Sequence, residues 1–160
     1  MRTIKFRAQD FASNKWLYGD LRHHKDDVCI FEQGGLNGKQ VKRDTVGQFT
    51  GLRDINGNDV YEGDILRVKE YKNLCWDLSK SKEERDEMMR TFALDDLKGE
   101  LDKEYVSAVE FEEGTYCLSS NGDYNDMYLS CLFGPMNGSL PIFDFEVIGN
   151  IYDNPDLLKR

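Results

Sequence analysis

Four carboxylates, Asp54, Asp59, Glu62 and Asp64, fall within eleven residues of this chain. A hard divalent cation takes oxygen ligands of this kind, so the cluster would suit a metal-dependent hydrolase. The spacing does not make an EF-hand loop, because Gly57 is the fourth residue from Asp54 and that loop needs glycine at its sixth position. Asp and Gly also form turns, Asp by bonding its own backbone nearby, and turn chemistry is the preferred reading. His23 and His24, beside Asp26, Asp27 and Cys29, could nominally hold zinc. Neighbouring strand residues point to opposite faces, so both imidazoles cannot easily reach one ion, and a solvated polar turn is preferred.

Nucleophilic catalysis needs a Ser or Cys, a base and an orienting group that meet in space. The chain has no G-x-S-x-G, no H-E-x-x-H and no phosphate-cradling G-x-x-x-x-G-K. Gly34, Gly35 and Gly38 lack a strand-loop-helix setting and read as a loop. Glu112 and Glu113 read as a solvated turn pair. No catalytic residue, resident metal or cofactor is expected.

A basic and aromatic set stands near the N-terminus. Arg2, Lys5, Arg7, Lys15, Arg22 and Lys25, with Phe6, Phe11, Trp16 and Tyr18, suit a sheet face for single-stranded nucleic acid. Lys5, Arg7, Lys15 and Arg22 would carry that patch. Alternation places Phe6 opposite Lys5 and Arg7, toward the core, whereas Trp16 and Tyr18 share one face. Core packing is the competing reading and the stronger one. Met88, Met89, Phe92 and Leu97 form a one-sided apolar stripe, which suits packing of a helix on a sheet or a subunit contact.

The elements that position these residues are mostly short strands. Thr3 to Ala8 alternates as a strand with one wet face. Asp10 to Asn14 is a turn cluster, and Lys15 to Gly19 returns as a hairpin partner. Val28 to Phe31 is a third strand. Two β-patterned runs then flank Asp54-Ile55-Asn56-Gly57, a strong hairpin signal, and a second turn at Glu62-Gly63-Asp64 leads into Ile65 to Val68. Ser81 and Glu84 have capping-box spacing, which predicts a helix over 81–98 with Gly99 as its stop. Strands are expected again at Val106–Phe111, Thr115–Leu118, Met127–Phe133 and Phe143–Tyr152. The predicted fold is mainly β, α+β at most: a small barrel or sandwich of short antiparallel strands, one domain over 1–160, with a charged helical insertion at 69–104.

The chain has 160 residues, 39% hydrophobic and 12% aromatic, enough for a packed core. Its net charge of −9 divides into +3 over residues 1–45 and −12 over 46–160. Such acidity disfavours general nucleic-acid binding. No apolar run is long enough to cross a membrane as a helix, and the N-terminus lacks the apolar core of a signal peptide, so a cytoplasmic location is expected. Cys29, Cys75, Cys117 and Cys131 form no C-x-x-C pair and are expected to be reduced.

Three separated pieces resemble the YopX-like proteins of phages and prophages. They are I4-K-F-R-A-Q-D10 with W16-L-Y-G-D20, then V46-G-Q-F-T-G-L-R-D-I-N-G-N-D-V-Y-E-G-D-I65, then F145-E-V-I-G-N-I-Y-D-N-P-D-L157. The resemblance implies a mainly β fold with added helix, a phage or prophage origin and self-association. It brings no activity and no functional residue. The functional expectation is therefore a non-catalytic, self-associating binding module for an unknown host or phage protein. The alternatives are a nucleic-acid-associated accessory protein and a divalent-metal-dependent hydrolase.

Overall fold

A computed structural model describes residues 3–25, 27–32, 34–73, 80–91, 98–112, 114–119, 127–128 and 142–159. Among them the chain is mostly strand, arranged as two antiparallel sheets with one helix and no closed barrel. The first sheet has the order β4-β3-β2-β1-β5-β6. Its strands are β1 (Phe6–Gln9), β2 (Trp16–His24), β3 (Asp27–Phe31), β4 (Lys39–Gln40), β5 (Gly47–Arg53) and β6 (Asp59–Tyr61). The second has the order β10-β9-β8-β7-β11. It holds β7 (Asp64–Asn73), β8 (Lys98–Glu112), β9 (Thr115–Leu118), β10 (Met127–Tyr128) and β11 (Ile142–Asn150).

The opening hairpin forms as its turn chemistry directs. Asp10 Oδ1 accepts the N–H groups of Ala12 and Ser13, and Asn14 takes the left-handed conformation that its side chain tolerates (φ 59°). Ala8 pairs with Leu17 in register, and both join Val28, Ile30 and Val41 in one core cluster with Phe6 packed against it. Phe6 thus faces the core, opposite Arg7. The expected wet face is absent, however, because Arg7 and Gln9 are buried as well. Asp64, the first residue of β7, and Asp153, just past β11, take their polar groups.

The turn Glu62-Gly63 carries the chain from one sheet to the other, with Gly63 at φ +80°, a conformation that any Cβ would strain. Beyond it, Leu66 and Val68 share one face of β7 and meet Val109, Leu118, Phe143 and Phe145. Val60 of β6 is fully buried in the same cluster, so this core joins the two sheets. The opposite face of the second sheet carries charges, with Arg67 bonded to Glu146 at 2.6 Å and Lys98 to Asp144 at 2.7 Å.

The helix is shorter than the spacing predicted. α1 (Lys82–Thr91) starts on the expected capping box: Ser81 N–H donates to Glu84 Oε2 at 2.7 Å, and Glu84 N–H to Ser81 Oγ at 3.2 Å. It does not reach residue 98. Lys98 and Gly99 belong to β8, which pairs with β7 out to Asn73. Residues 69–73 and 98–104 therefore lengthen the β7–β8 hairpin, and the charged composition there reflects a solvent-facing ribbon. Of the strand expected over 127–133, Met127–Tyr128 is described and pairs with β9, and the rest lies outside the described residues.

Candidate site at the junction of the sheets

Arg7 stands at the centre of the junction. It lies on β1 opposite Tyr18 of β2, and its guanidinium donates to Asp64 Oδ1 at 2.5 Å and to the Glu62 carbonyl at 3.2 Å. The Trp16 and Tyr61 rings flank it, with centroids 4.8 and 5.1 Å from Cζ. The pair is deeply buried: Arg7 is 6% exposed and Asp64 1%. Burial sets the Asp64 carboxyl above the usual range, against the opposing pull of Arg7 and of the Tyr61 N–H, which donates to Oδ2 at 2.7 Å. The Arg7 Nε–H is buried with no acceptor among the described residues.

Two more carboxylates hold the junction together. Asp153 accepts from Gln9 Nε2 (2.9 Å), Trp16 Nε1 (2.7 Å) and Asn150 Nδ2 (2.9 Å), and the bonds from Asn150 and Trp16 lower its pKa. Asp54 accepts the N–H groups of Asn56 and Asn58 within its own turn and that of Val147 on β11. Burial works to raise Asp54, but the Val147 and Asn58 bonds outweigh it and leave the pKa lowered. Asp59 pairs with Lys5 and with Arg53, which lower it against the effect of burial.

The four carboxylates of the 54–64 stretch therefore serve separate partners. Asp54 latches a turn to β11, Asp59 holds Lys5 and Arg53, Asp64 holds Arg7, and Glu62 contributes its backbone to Arg7 and to Gln48. Among the described residues no three His, Cys, Asp or Glu side chains converge for a metal ion. His23 and His24 are exposed at the end of β2, opposite Val28 and Asp27, while Cys29 pairs with Arg22. Neither Cys29 nor Cys117 forms a disulfide among the described residues.

The structure separates the proposed basic patch. Lys5 and Arg7 are drawn into the junction by Asp59 and Asp64. Lys15 is exposed just before β2, and Arg22 lies over Phe31 at 4.3 Å from the ring centroid. Of the apolar stripe, Met88 is half-buried against Ile142, on which Tyr71 also packs. The side chains of Met89, Phe92 and Leu97 lie outside the described residues.

Beside the buried pair the surface opens into a cleft of about 700 Å³, lined by Lys5, Tyr18, Asp20, Asn58, Asp59 and Tyr61 among others, with Arg7 and Asp64 also at its wall. Tyr18 is 49% exposed, and its ring meets Tyr61 edge-on at 5.6 Å. A concave site of this size is adequate for a side chain or a small ligand. Sequence reading missed Arg7–Asp64 and the Asp153 cluster. The available signal was polar residues at strand positions in three distant segments, 4–20, 46–65 and 145–157, which meet here.

Comparison with known proteins gives a family and a similar fold among solved structures. A family model described as YopX protein matches residues 5–159. The crystal structure of protein EF1440 from Enterococcus faecalis is similar at 19% identity and a TM-score of 0.47, covering 99% of this chain and 100% of that one. No curated protein matches.

Proposed function

Because the chain belongs to the YopX family, we propose that it is a phage- or prophage-derived, non-catalytic binding module. In this reading it acts in the host cytoplasm as a homo-oligomer and engages a host or phage protein at the cleft between its sheets. The observation that carries the reading is the pairing of charges at the junction. Lys5 is committed to Asp59 and Arg7 to Asp64, so these groups brace a surface and are not held free for proton transfer or phosphate contact. Among the described residues no helix is long and apolar enough to cross a membrane, in keeping with action away from the bilayer.

A second reading has one observation in its favour: Tyr18 and Arg22 are exposed on one face of β2, as a single-strand-binding face would need. The metal-hydrolase reading gains nothing from carboxylates that serve separate partners. A tagged pull-down from host cells, with and without nuclease, separates the first two. A stoichiometric protein retained after nuclease is the expected result. Material lost with nuclease would shift the assignment to the second reading. Light scattering on the same sample tests self-association, and a monomeric mass would remove that part of the proposal.

A further inference from the structure

The charges lining the cleft do not balance. Five of its residues are ionic: Lys5, Arg7, Asp20, Asp59 and Asp64. Lys5 is taken by Asp59 and Arg7 by Asp64. Arg53 adds a second bond to Asp59, at 3.1 Å. Asp20 is left over, exposed and without an ion pair among the described residues. Its neighbour along the face, Arg22, lies over the Phe31 ring and is not part of the cleft lining.

Asp20 and Tyr18 are two residues apart on β2 and so point to the same side of the sheet. That spacing sets them roughly 7 Å apart along the strand. Tyr18 is half exposed, and its ring is held by an edge contact with Tyr61. Gly19 between them has no room for a larger residue, because a Cβ there would meet the Phe31 carbonyl oxygen at 2.0 Å. An aromatic face beside an uncompensated carboxylate is the chemistry that takes a cation: the ring attracts it and the carboxylate accepts its N–H groups. The net charge of −9 favours approach of a basic partner over an acidic one. An anion entering the cleft would meet Asp20 with both nearby cations already committed.

We infer that the cleft receives a lysine or arginine side chain from a basic segment of the partner protein, its charged head over Tyr18 and hydrogen-bonded to Asp20. The inference rests on the binding-module reading and adds the chemistry of the partner.

Titration of the isotopically labelled full chain with a tetralysine peptide, followed by amide NMR shifts, tests it. Shifts are expected at Tyr18, Gly19, Asp20 and Asn58 to Tyr61, and the fully Nε-acetylated peptide should produce none. Asp20→Asn should weaken binding by roughly tenfold, the scale of one charge-assisted hydrogen bond. Asp102→Asn makes the same charge change at an exposed position of β8 and should alter affinity by less than about twofold. Tyr18→Phe should bind as the parent does, and Tyr18→Ala more weakly. Shifts elsewhere, equal binding of the acetylated peptide, or an equal loss in Asp102→Asn would overturn the inference. Butylamine binding as tightly as the peptide would also overturn it, in favour of a small-amine site. If the pull-down partner is retained by Asp20→Asn, this inference falls while the binding-module reading stands. If tetralysine binds in the cleft but the pull-down recovers no partner, the cation site stands and the binding-module reading falls.

Discussion

The Asp54 carboxylate accepts the backbone N–H of Val147 at 3.0 Å, tying a turn of one sheet to an outer strand of the other across 93 positions of chain. Its two oxygens are fully used: Oδ1 takes Asn56 N–H and Asn58 N–H, and Oδ2 takes the Asn58 side-chain amide and Val147. Asp54→Asn keeps one acceptor and turns an NH₂ group toward two donors. The expected cost is about 2–3 kcal/mol, the range for buried bonds to a charged group. Urea unfolding measures it as a lower midpoint at unchanged slope. A variant as stable as the parent would show that the latch contributes nothing net.

The same carboxylate sets an acid limit. Asp54, Asp59 and Asp153 all have lowered pKa values in the folded chain. The unfolded chain then binds more protons in the acid range, so stability rises with pH there. The contribution is complete above the ordinary aspartate value of about 4 and is lost as pH falls through the lowered native values. Asp64, raised by burial, works in the opposite sense and cannot cause the loss. Melting temperature against pH should fall below about pH 4 in the parent, and fall less steeply in Asp54→Asn. Parallel profiles would assign the acid limit to other groups.

Arg7 and Asp64 differ from the surface pairs in being buried, at 6% and 1% exposure. Removing one partner leaves a buried charge, and Asp64→Ala should cost about 3–5 kcal/mol by chemical denaturation. Arg7→Glu would place two carboxylates together and should not fold. For this reason the basic-hairpin reading is better tested with Lys15→Glu and Arg22→Glu. Both positions are exposed and each change should alter stability by less than about 0.5 kcal/mol. Unchanged nucleic-acid retention in that folded double variant would count against the hairpin.

How much of this was legible follows from the range of each interaction. The Ser81–Glu84 cap and the Asp10 turn were readable because donor and acceptor lie within three residues. The Asp54 turn was readable for the same reason, with Gly57 at φ +82° supplying the conformation only glycine takes freely. The facing of Phe6 followed from alternation. Burial of Arg7 did not, because its partner Asp64 lies 57 positions later in the chain. Nothing local distinguishes an arginine that meets water from one that meets a distant aspartate. The helix end was misplaced because the stop signal, Gly99, sits in a strand whose pairing with β7 outweighs helix propensity. The cleft lay beyond sequence reading altogether, since its walls come from β1, β2, β6, β7 and β11.

Met88 decides between two uses of the helix. It is half-buried and packs on Ile142, so part of its apolar surface is taken up within the chain. Met88→Ala should therefore cost about 1–2 kcal/mol, less than a fully buried methionine, as the packing against Ile142 is lost. The loss should be the same at protein concentrations about a hundredfold apart, because a contact inside one chain is independent of mass action. Sedimentation of the folded variant should give the parent mass. A midpoint that falls further on dilution, together with a smaller mass, would instead place Met88 at a subunit contact. Ile142→Ala offers the reciprocal check: if the two residues stabilise one another, the double variant should lose less than the two single losses combined.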